Sequence, residues 1–341
     1  MSGEHHDTIA ALLAQSLGAD VTVTGTERVT GGYSRVMRRI TAEVDGEPRT
    51  FVWRADPPEG EAIVSTDRAR EYGVLAALGG AGGAPAVHAF DPDGSRLGAV
   101  GMIIDYVDGT PLHAVLSATD EREWPGHVRS IAELAARIHA TDVADVTAVL
   151  GEVPSWADHI DSCVAQWRAL ADGQVEPAPL MRYVAEWLDV NRPPEVPLCL
   201  LHGDLETPNI IVEGDSVSAI DWEFTRIGDP REDLGYFAAL SAISPPDPIA
   251  GDLTALCAAY REASGLSEAQ LNPLTVSYFS ILPFGPMVAQ FVGQVTDLVA
   301  GTNRSLKTAN LAYVVTAMAE GWVGVTRQLD AAKAAAGVPT T

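Results

Sequence analysis

Lysine is nearly absent from this chain of 341 residues. The two lysines, Lys307 and Lys333, lie near the C-terminal end, and the formal net charge at pH 7 is −24. A charge of this size repels nucleic acid and anionic lipid, so we expect neither a nucleic-acid partner nor a membrane partner. The charge is compatible with a solvated acidic surface and also with a field that guides a cationic substrate.

Cysteine is also scarce, since the chain contains only Cys163, Cys199 and Cys257. Three scattered thiols without a C-x-x-C pair form no disulfide framework, which favours a reducing compartment. The first residues have neither the basic start nor the long apolar core of a signal peptide. We therefore expect a cytoplasmic location.

Several catalytic motifs are missing from the sequence. The eight histidines form no H-E-x-x-H or other zinc spacing, and the chain has no Walker A sequence and no G-x-S-x-G. The longest uncharged stretch, residues 269–296, is long enough to span a bilayer. Three prolines and a glycine interrupt it, so we predict buried helices broken by a loop.

The pattern along the chain predicts two unequal lobes, as its length also suggests. Residues 21–57 alternate β-branched and polar side chains with turn residues between them, which predicts antiparallel strands. Residues 68–78 have helical spacing, and helical patterns dominate from residue 110 onward. We predict an α+β fold with a nucleotide-binding lobe at 1–105, which begins with a helix over 1–18, and a larger helical lobe at 106–341.

The most informative stretch is "LHGDLETPN" at residues 201–209, which is followed by a predicted hairpin and "AIDWE". The hairpin should bring Asp221 back toward Asn209, because its two short strands are joined by a Gly-Asp turn. Two hard oxygen ligands a few ångströms apart suit Mg²⁺, which shares its shell with water and phosphate oxygens. Asp204 lies nearby and could accept the proton of a substrate hydroxyl for in-line attack on phosphorus.

Each of these residues alone would more often be a loop cap or a turn residue. Together, an Asp-x4-Asn motif, a hairpin and a second Asp form the arrangement of kinase active sites. The segments "LLHGDLETPNIIV" and "AIDWEFTRIGDPREDLGYF" also resemble the aminoglycoside phosphotransferase and choline kinase-like superfamily. These proteins are small-molecule kinases with the bilobal protein-kinase-like fold, so the resemblance implies Mg²⁺, ATP or GTP, and a small-molecule acceptor.

The resemblance also implies a role for each residue of the motif. It makes Asp204 the catalytic carboxylate and makes Asn209 and Asp221 the metal ligands. It makes His202 a support of the catalytic loop and makes Asp233 the aspartate that braces this loop from the next helix.

Kinases usually hold the α- and β-phosphates with a strand lysine that is paired with a helix glutamate. The small lobe has no lysine, but Arg54 lies near the end of the strand where that lysine is expected. We predict that Arg54 pairs with Glu71 and contacts phosphate, since a guanidinium can bind phosphate oxygens bidentately. The alternative is an ordinary surface ion pair.

Two further segments complete the predicted nucleotide site. Gly31 and Gly32 would form a phosphate-covering turn in which Ser34 could donate to a phosphate, although a plain hairpin would have the same sequence. The segment around Asp105, Tyr106 and Val107 resembles a hinge whose backbone reads the adenine edge.

The acceptor is left open by two conflicting indications. The acidic charge favours a cationic acceptor such as an aminoglycoside, whereas the uncharged aromatic stretch favours an apolar one such as a macrolide-like metabolite. Glu206 departs from common family forms and borders the acceptor. Glu223 could be a surface residue, a support of the site or a third metal ligand. The oligomeric state is not predicted.

Two other functions fit the sequence less well than a small-molecule kinase does. A protein kinase is disfavoured, because Asp221 and Asp233 are only twelve positions apart, which leaves little room for an activation segment. A non-catalytic, nucleotide-binding pseudokinase is supported by the missing lysine but disfavoured by the complete Asp204, Asn209 and Asp221 set.

Overall fold

A five-stranded antiparallel sheet forms the first part of the chain in this computed structural model, which describes residues 3–29, 36–57, 67–173, 178–249, 252–302 and 306–335. Its strands follow the order β1-β2-β3-β5-β4. The elements, in chain order, are α1 (Gly3–Leu17), β1 (Val21–Val29), β2 (Val36–Val44), β3 (Glu47–Ala55), α2 (Arg68–Leu78), β4 (Val87–Asp91) and β5 (Gly101–Asp105).

The hairpin between β2 and β3 turns at Asp45 and Gly46, as the sequence predicted. Both residues have positive φ, 51° and 85°, which is the conformation of a two-residue type I′ turn. The turn sets the register in which Val44 pairs with Glu47 and Met37 pairs with Arg54. Arg54 is thereby fixed near the end of β3, on a strand that also pairs with β5.

Helix α2 spans the predicted residues 68–78. Asp67 caps its start by accepting a hydrogen bond of 3.0 Å from the Arg70 N–H, and Gly79 ends it in the left-handed conformation with φ 56°. The buried side of the helix includes Glu71, Val74 and Leu75. This orientation directs Glu71 into the interior, next to the sheet that carries Arg54.

The second part of the chain is mainly helical. Its elements are β6 (Thr110–Pro111), α3 (Leu112–Ala118), α4 (Trp124–His139), α5 (Thr147–Leu150), α6 (Trp156–Asp172), α7 (Pro179–Val190), β7 (Cys199–Leu201), β8 (Ile210–Glu213), β9 (Ser216–Ala219), β10 (Arg226–Gly228), α8 (Arg231–Ile243), α9 (Thr254–Ser264), α10 (Pro273–Phe279), α11 (Gly285–Ala300) and α12 (Leu306–Ala335). The predicted α+β architecture, a small antiparallel sheet followed by a larger helical part, is confirmed.

Helix α4 lies at the centre of the helical part. Its apolar residues recur at helical spacing, so that Ile131, Ala135 and Ile138 are completely buried on one face. This face packs in the same core cluster as residues of α9 and β7. The core therefore holds the strand that leads into the catalytic loop.

The uncharged stretch is interrupted where the sequence predicted a break. Helix α10 ends at Phe279, a short 3-10 turn follows at Leu282–Phe284, and α11 begins at Gly285. The segment Pro273–Ala300 is long and apolar enough to cross a membrane by length and composition, and half of its most apolar window is buried inside the protein.

Short strands surround the predicted catalytic loop. The predicted hairpin is present as β8 and β9, and β6 pairs with β8. Strand β7 pairs with β10 in an antiparallel arrangement, so Leu201 lies opposite Arg226. Strand β10 was not predicted, because three residues are too few to show an alternating pattern.

Candidate active site

Asp233 holds the backbone of the catalytic loop from the first turn of α8. Its carboxylate accepts the N–H groups of His202 and Gly203 at 2.8 and 2.9 Å, and His139 Nε2 lies 3.0 Å away. Burial acts to raise the pKa of Asp233, but the hydrogen bond and charge of His139 outweigh this effect and lower the pKa to about 2. Asp233 is therefore ionised, and its charge fixes the two residues that precede Asp204.

His202 connects the catalytic loop to the end of the following hairpin. Its Nε2 lies 3.0 Å from the Ile220 carbonyl oxygen, which can only accept, so the proton is on Nε2. Burial lowers the pKa of His202, which keeps the ring neutral. Ile220 directly precedes Asp221, so His202 ties the Asp204 loop to the Asp221 segment.

The Asp204 carboxylate is held by two donors. Oδ1 accepts a hydrogen bond of 2.6 Å from the Tyr236 hydroxyl, and Oδ2 accepts one of 2.8 Å from Asn209 Nδ2. Burial and the charge of Asp221 raise the pKa of Asp204 to about 6, although both hydrogen bonds oppose this shift. The two hydrogen bonds therefore fix the orientation of the carboxylate, and its pKa of about 6 lies close to neutral pH.

Sequence reasoning did not identify Tyr236. Its ring stacks on Phe284, with ring centroids 5.1 Å apart and an interplanar angle of 7°. Tyr236 follows Asp233 by three positions on α8, which places both side chains on neighbouring parts of one helix face. This spacing was the signal that could have identified it.

The hairpin brings the two predicted metal ligands together. The N–H of Ile220 donates a hydrogen bond of 2.9 Å to the Asn209 carbonyl oxygen. Asp221, the next residue in the chain, therefore lies beside Asn209. Asn209 uses Nδ2 to contact Asp204, which turns its Oδ1 away from that carboxylate. The part of the chain that the structure describes has no group of three or more His, Cys, Asp or Glu residues that could hold a metal.

One amide oxygen and one carboxylate fit Mg²⁺, since this ion usually takes few protein ligands and completes its shell with water and phosphate. Asp221 itself has φ 69°, a left-handed conformation that is uncommon for a residue other than glycine. The surrounding contacts thus hold the Asp221 backbone in an unusual conformation at the candidate site.

Arg54 and Glu71 lie next to each other, as predicted, and both are almost completely buried. Arg54 Nη1 lies 3.1 Å from Glu71 Oε1, a distance typical of an ion pair. The pair is therefore not an ordinary surface ion pair. Arg68 also contacts Glu71, and it binds Asp56 at 3.0 Å.

Arg54 also reaches the segment that follows the hairpin. Its Nη2 donates to Asp221 Oδ1, and it lies 3.0 Å from Glu223 Oε2. Burial acts to lower the pKa of Arg54, but the charges of Asp221 and Glu71 outweigh this effect and raise it. Glu223, which the sequence left open, is thus a partner of Arg54.

Glu206 lies partly buried beside the same carboxylates. Burial raises the pKa of Glu206, and the charges of Asp204 and Asp221 raise it further, to about 8. A protonated Glu206 can donate a hydrogen bond, whereas an ionised one accepts only.

The predicted hinge follows β5, and part of it is engaged within the protein. The N–H of Asp105 donates a hydrogen bond of 2.9 Å to the Ala86 carbonyl oxygen, and the N–H of Tyr106 donates one of 3.3 Å to the Thr50 carbonyl oxygen. Of the backbone groups in the predicted hinge, the carbonyl groups and the N–H of Val107 are therefore the candidates for contacts with adenine. The predicted phosphate-covering residues Gly31, Gly32 and Ser34 lie outside the described residues.

A cavity of about 840 Å³ lies beside the catalytic loop. Gly203 and Tyr236 are on its wall, together with Met287 and Phe291 of α11. Phe284, in contrast, is completely buried in the core. The aromatic stretch that the sequence singled out is thus divided between core and cavity wall.

The sequence matches the family model of the phosphotransferase enzyme family over residues 25–266. The chain belongs to this family. The predictions of the superfamily, of the kinase-like fold and of a small-molecule kinase are therefore confirmed. The structure is similar to that of a Ralstonia eutropha protein assigned to the aminoglycoside phosphotransferases, with a TM-score of 0.70, 21% identity and coverage of 94% of this chain and 98% of that one.

The chain is also similar to a second solved structure and to part of a curated protein. A thermostable mutant of aminoglycoside phosphotransferase APH(4)-Ia, solved as a ternary complex with ADP and hygromycin B, has a TM-score of 0.58, 16% identity and coverage of 94% of this chain and 98% of that one. Acyl-CoA dehydrogenase family member 10 of Mus musculus is 24% identical over 173 residues, which are 49% of this chain. The match spans only 16% of that curated relative's length.

Proposed function

We propose that this phosphotransferase moves the γ-phosphoryl group of ATP or GTP to a hydroxyl group of a small molecule in a Mg²⁺-dependent reaction. The observation that carries this proposal is the Asp204 carboxylate, which Tyr236 and Asn209 hold at 2.6 and 2.8 Å beside a cavity large enough for an acceptor. The ternary complex of the related aminoglycoside phosphotransferase with ADP and hygromycin B supports a site that takes a nucleotide and an acceptor together.

Asp204 acts on the acceptor in this proposal. As the acceptor oxygen bonds to the γ-phosphorus, the bond between that phosphorus and the β,γ-bridging oxygen breaks, and Asp204 accepts the hydroxyl proton. A pKa of about 6 leaves the carboxylate mostly ionised at neutral pH yet basic enough to take this proton. Tyr236 and Asn209 orient it through one oxygen each.

Arg54 and the hairpin residues act on the nucleotide. Arg54 lies at the position of the usual strand lysine and is held by Glu71, so it supplies a permanent positive charge that can attract phosphate oxygens. Asn209 and Asp221 would hold the Mg²⁺. The bound Mg²⁺ would supply positive charge that neutralises the transferring phosphoryl group.

The alternative of a non-catalytic pseudokinase depends on the absent lysine. The buried Arg54–Glu71 pair favours the enzyme, because it supplies a cation at the same place. An aminoglycoside-like acceptor and a macrolide-like acceptor are both compatible with the catalytic residues, so the residues that line the cavity determine which acceptor binds.

The test is a screen for acceptor-dependent nucleotide consumption with Mg²⁺ and ATP or GTP, with Asp204→Asn as the inactive control. We expect Asp204→Asn to lower kcat by about 10²- to 10⁴-fold while the affinity for nucleotide, measured by calorimetry, stays nearly the same. Near-normal turnover of Asp204→Asn on a true acceptor would falsify the catalytic assignment. Nucleotide binding without turnover on any acceptor, in the wild type, would favour the pseudokinase.

A further inference from the structure

The cavity of about 840 Å³ borders the catalytic loop. Two residues of its wall adjoin the catalytic carboxylate: Gly203 precedes Asp204 in the chain, and Tyr236 hydrogen-bonds to it. The hinge residues 105–107 do not line this cavity. A molecule in the cavity can therefore present a hydroxyl to Asp204 without occupying the predicted adenine site.

Arg70, in the first turn of α2, lies on the cavity wall. Its Nη2 donates a hydrogen bond of 2.8 Å to the Thr225 carbonyl oxygen. In the described part of the chain, no carboxylate lies within ion-pair distance of the Arg70 guanidinium. The remaining N–H groups of this guanidinium are thus available, since arginine has five. A cation in the first turn also opposes the helix dipole, which favours negative charge there.

A second arginine, Arg226 of β10, lies on the same wall. Its side chain pairs with Glu232 at 2.8 Å and is 28% exposed. Burial lowers the pKa of Arg70, the nearby charge of Arg226 lowers it further, and Asp67 opposes this effect. An anion bound between the two guanidinium groups would remove their repulsion, because it attracts both.

Each of the described acidic residues on the wall already has at least one donor. Asp56 binds Arg68 at 3.0 Å, Glu223 binds Arg54 at 3.0 Å, and Asp67 accepts the Arg70 backbone N–H at 3.0 Å. These contacts offset the acidic groups with other donors, and among the described residues no carboxylate lies within ion-pair distance of the Arg70 guanidinium. The local charge on this wall therefore differs from the strongly acidic charge of the whole chain.

The rest of the wall is apolar. Phe90 and Val100 contribute from the sheet part of the protein, and Pro283, Met287 and Phe291 contribute from the helical part. Apolar side chains opposite a guanidinium group suit a molecule with an aliphatic body and a charged end.

We infer that the acceptor is a hydroxylated aliphatic compound that carries an anionic group, a carboxylate or a phosphate, and that Arg70 and Arg226 bind this group. The apolar wall holds the aliphatic body, and the hydroxyl reaches Asp204. This inference rests on the proposed function, which it makes more specific by naming the class of acceptor.

The test compares acceptors that differ only in the charged group. Medium-chain hydroxyalkanoates, hydroxyalkyl phosphates, diols and amino alcohols of equal length are offered to the wild type, to Arg70→Gln and to Arg70→Lys. Arg129→Gln, on the exposed face of α4, is the matched control, because Arg129 is 56% exposed, pairs with Glu262 and does not line the cavity. Phosphoryl transfer is measured as ADP formation, and binding is measured separately by calorimetry with the unreactive alkanoate and alkyl phosphate.

We expect the wild type to prefer an anionic acceptor, and the comparison of carboxylate with phosphate decides which anion fits. Arg70→Gln should raise KM for that acceptor about tenfold to a hundredfold, with kcat and the KM for the diol nearly unchanged. Arg70→Lys should recover part of the affinity. Arg129→Gln should behave like the wild type.

The other outcomes separate the inference from the proposed function. Transfer to diols or amino alcohols at least as efficient as to the anionic acceptors overturns the inference and leaves the kinase standing. A loss of nucleotide affinity in Arg70→Gln also overturns it, since Arg70 would then serve the nucleotide. Binding of the alkanoate that depends on Arg70, without transfer to any acceptor, supports the anion site and contradicts the proposed function. Absence of both binding and transfer contradicts both.

Discussion

The hydroxyl of Tyr236 donates a hydrogen bond of 2.6 Å to Oδ1 of Asp204. Tyr236→Phe removes this bond and keeps the ring that stacks on Phe284. A hydrogen bond to a charged group contributes about 1.5–3 kcal/mol, so we expect kcat to fall about tenfold to a hundredfold with little change in the affinity for nucleotide. Steady-state kinetics measure both. An unchanged kcat would mean that Asn209 alone orients Asp204.

Arg54 distinguishes a phosphate contact from a purely structural ion pair. Arg54→Lys keeps a positive charge beside Glu71 but loses the bidentate guanidinium, so we expect it to retain part of the nucleotide affinity. Arg54→Ala should retain much less. The measurement is calorimetry with Mg²⁺–ATP, together with thermal unfolding of each variant. Equal nucleotide affinity in Arg54→Ala and the wild type would show that Arg54 does not contact phosphate.

Gly203 tests whether the catalytic loop requires glycine. Its φ is 83°, and a Cβ at this position would lie 2.1 Å from the Phe224 carbonyl oxygen. We expect Gly203→Ala to destabilise the fold by at least about 1–3 kcal/mol and to displace Asp204, since both the conformation and the space forbid a side chain. Denaturant unfolding and turnover are the measurements.

Gly126 supplies the control for this substitution. It lies near the start of α4, and a Cβ there would have nothing within 4 Å. Gly126→Ala should be neutral or stabilising by about 0.5–1 kcal/mol, because alanine loses less conformational freedom in a helix. A Gly203→Ala protein as stable and active as Gly126→Ala would contradict the close approach of Phe224.

Glu232 should make stability depend on pH. Burial acts to raise the pKa of Glu232, but the charge of Arg226 and the contact with His159 lower it to about 2 from an ordinary 4.5. A lowered pKa contributes stability above pH 4.5, and this contribution is lost as pH falls toward 2. Glu232→Gln should therefore destabilise the protein by about 3–5 kcal/mol at pH 7.

The difference between Glu232→Gln and the wild type should shrink as pH falls below about 4.5. It should also shrink as pH rises from about 6.5 toward 10, because burial lowers the pKa of His159 while its contacts with Cys163 and Glu232 raise it to about 10. Denaturant unfolding across this pH range measures the difference. A difference independent of pH would mean that the charge of Glu232 contributes nothing.

The sequence was sufficient where a local pattern determines the structure. Helix α2 was predicted because the apolar residues of 68–78 recur at helical spacing, and the β8–β9 hairpin was predicted because a Gly-Asp turn separates two apolar strands. The proximity of Asn209 and Asp221 follows from that hairpin. The Arg54–Glu71 pair could be predicted because the strand and the next helix place these residues where kinases usually have a strand lysine and a helix glutamate.

The remaining features of the site depend on contacts between distant segments. Arg70 approaches the cavity because it reaches the Thr225 carbonyl, 155 positions further along the chain, and no local pattern encodes this contact. The hydrogen bond from the Tyr106 N–H to the Thr50 carbonyl oxygen likewise forms only when the sheet has folded. The acceptor was left open, since the acidic charge favoured a cationic compound and the uncharged stretch favoured an apolar one. Composition does not report which charges are already paired.

Helix α2 carries Arg70 and Glu71 as consecutive residues. Arg70 lies on the wall of the proposed acceptor cavity, and Glu71 holds Arg54 at the proposed phosphate site. A rigid movement of α2 must therefore displace both contacts at once. On these assignments the two substrates influence each other's affinity through one helix, and by thermodynamic linkage the effect has the same size in both directions.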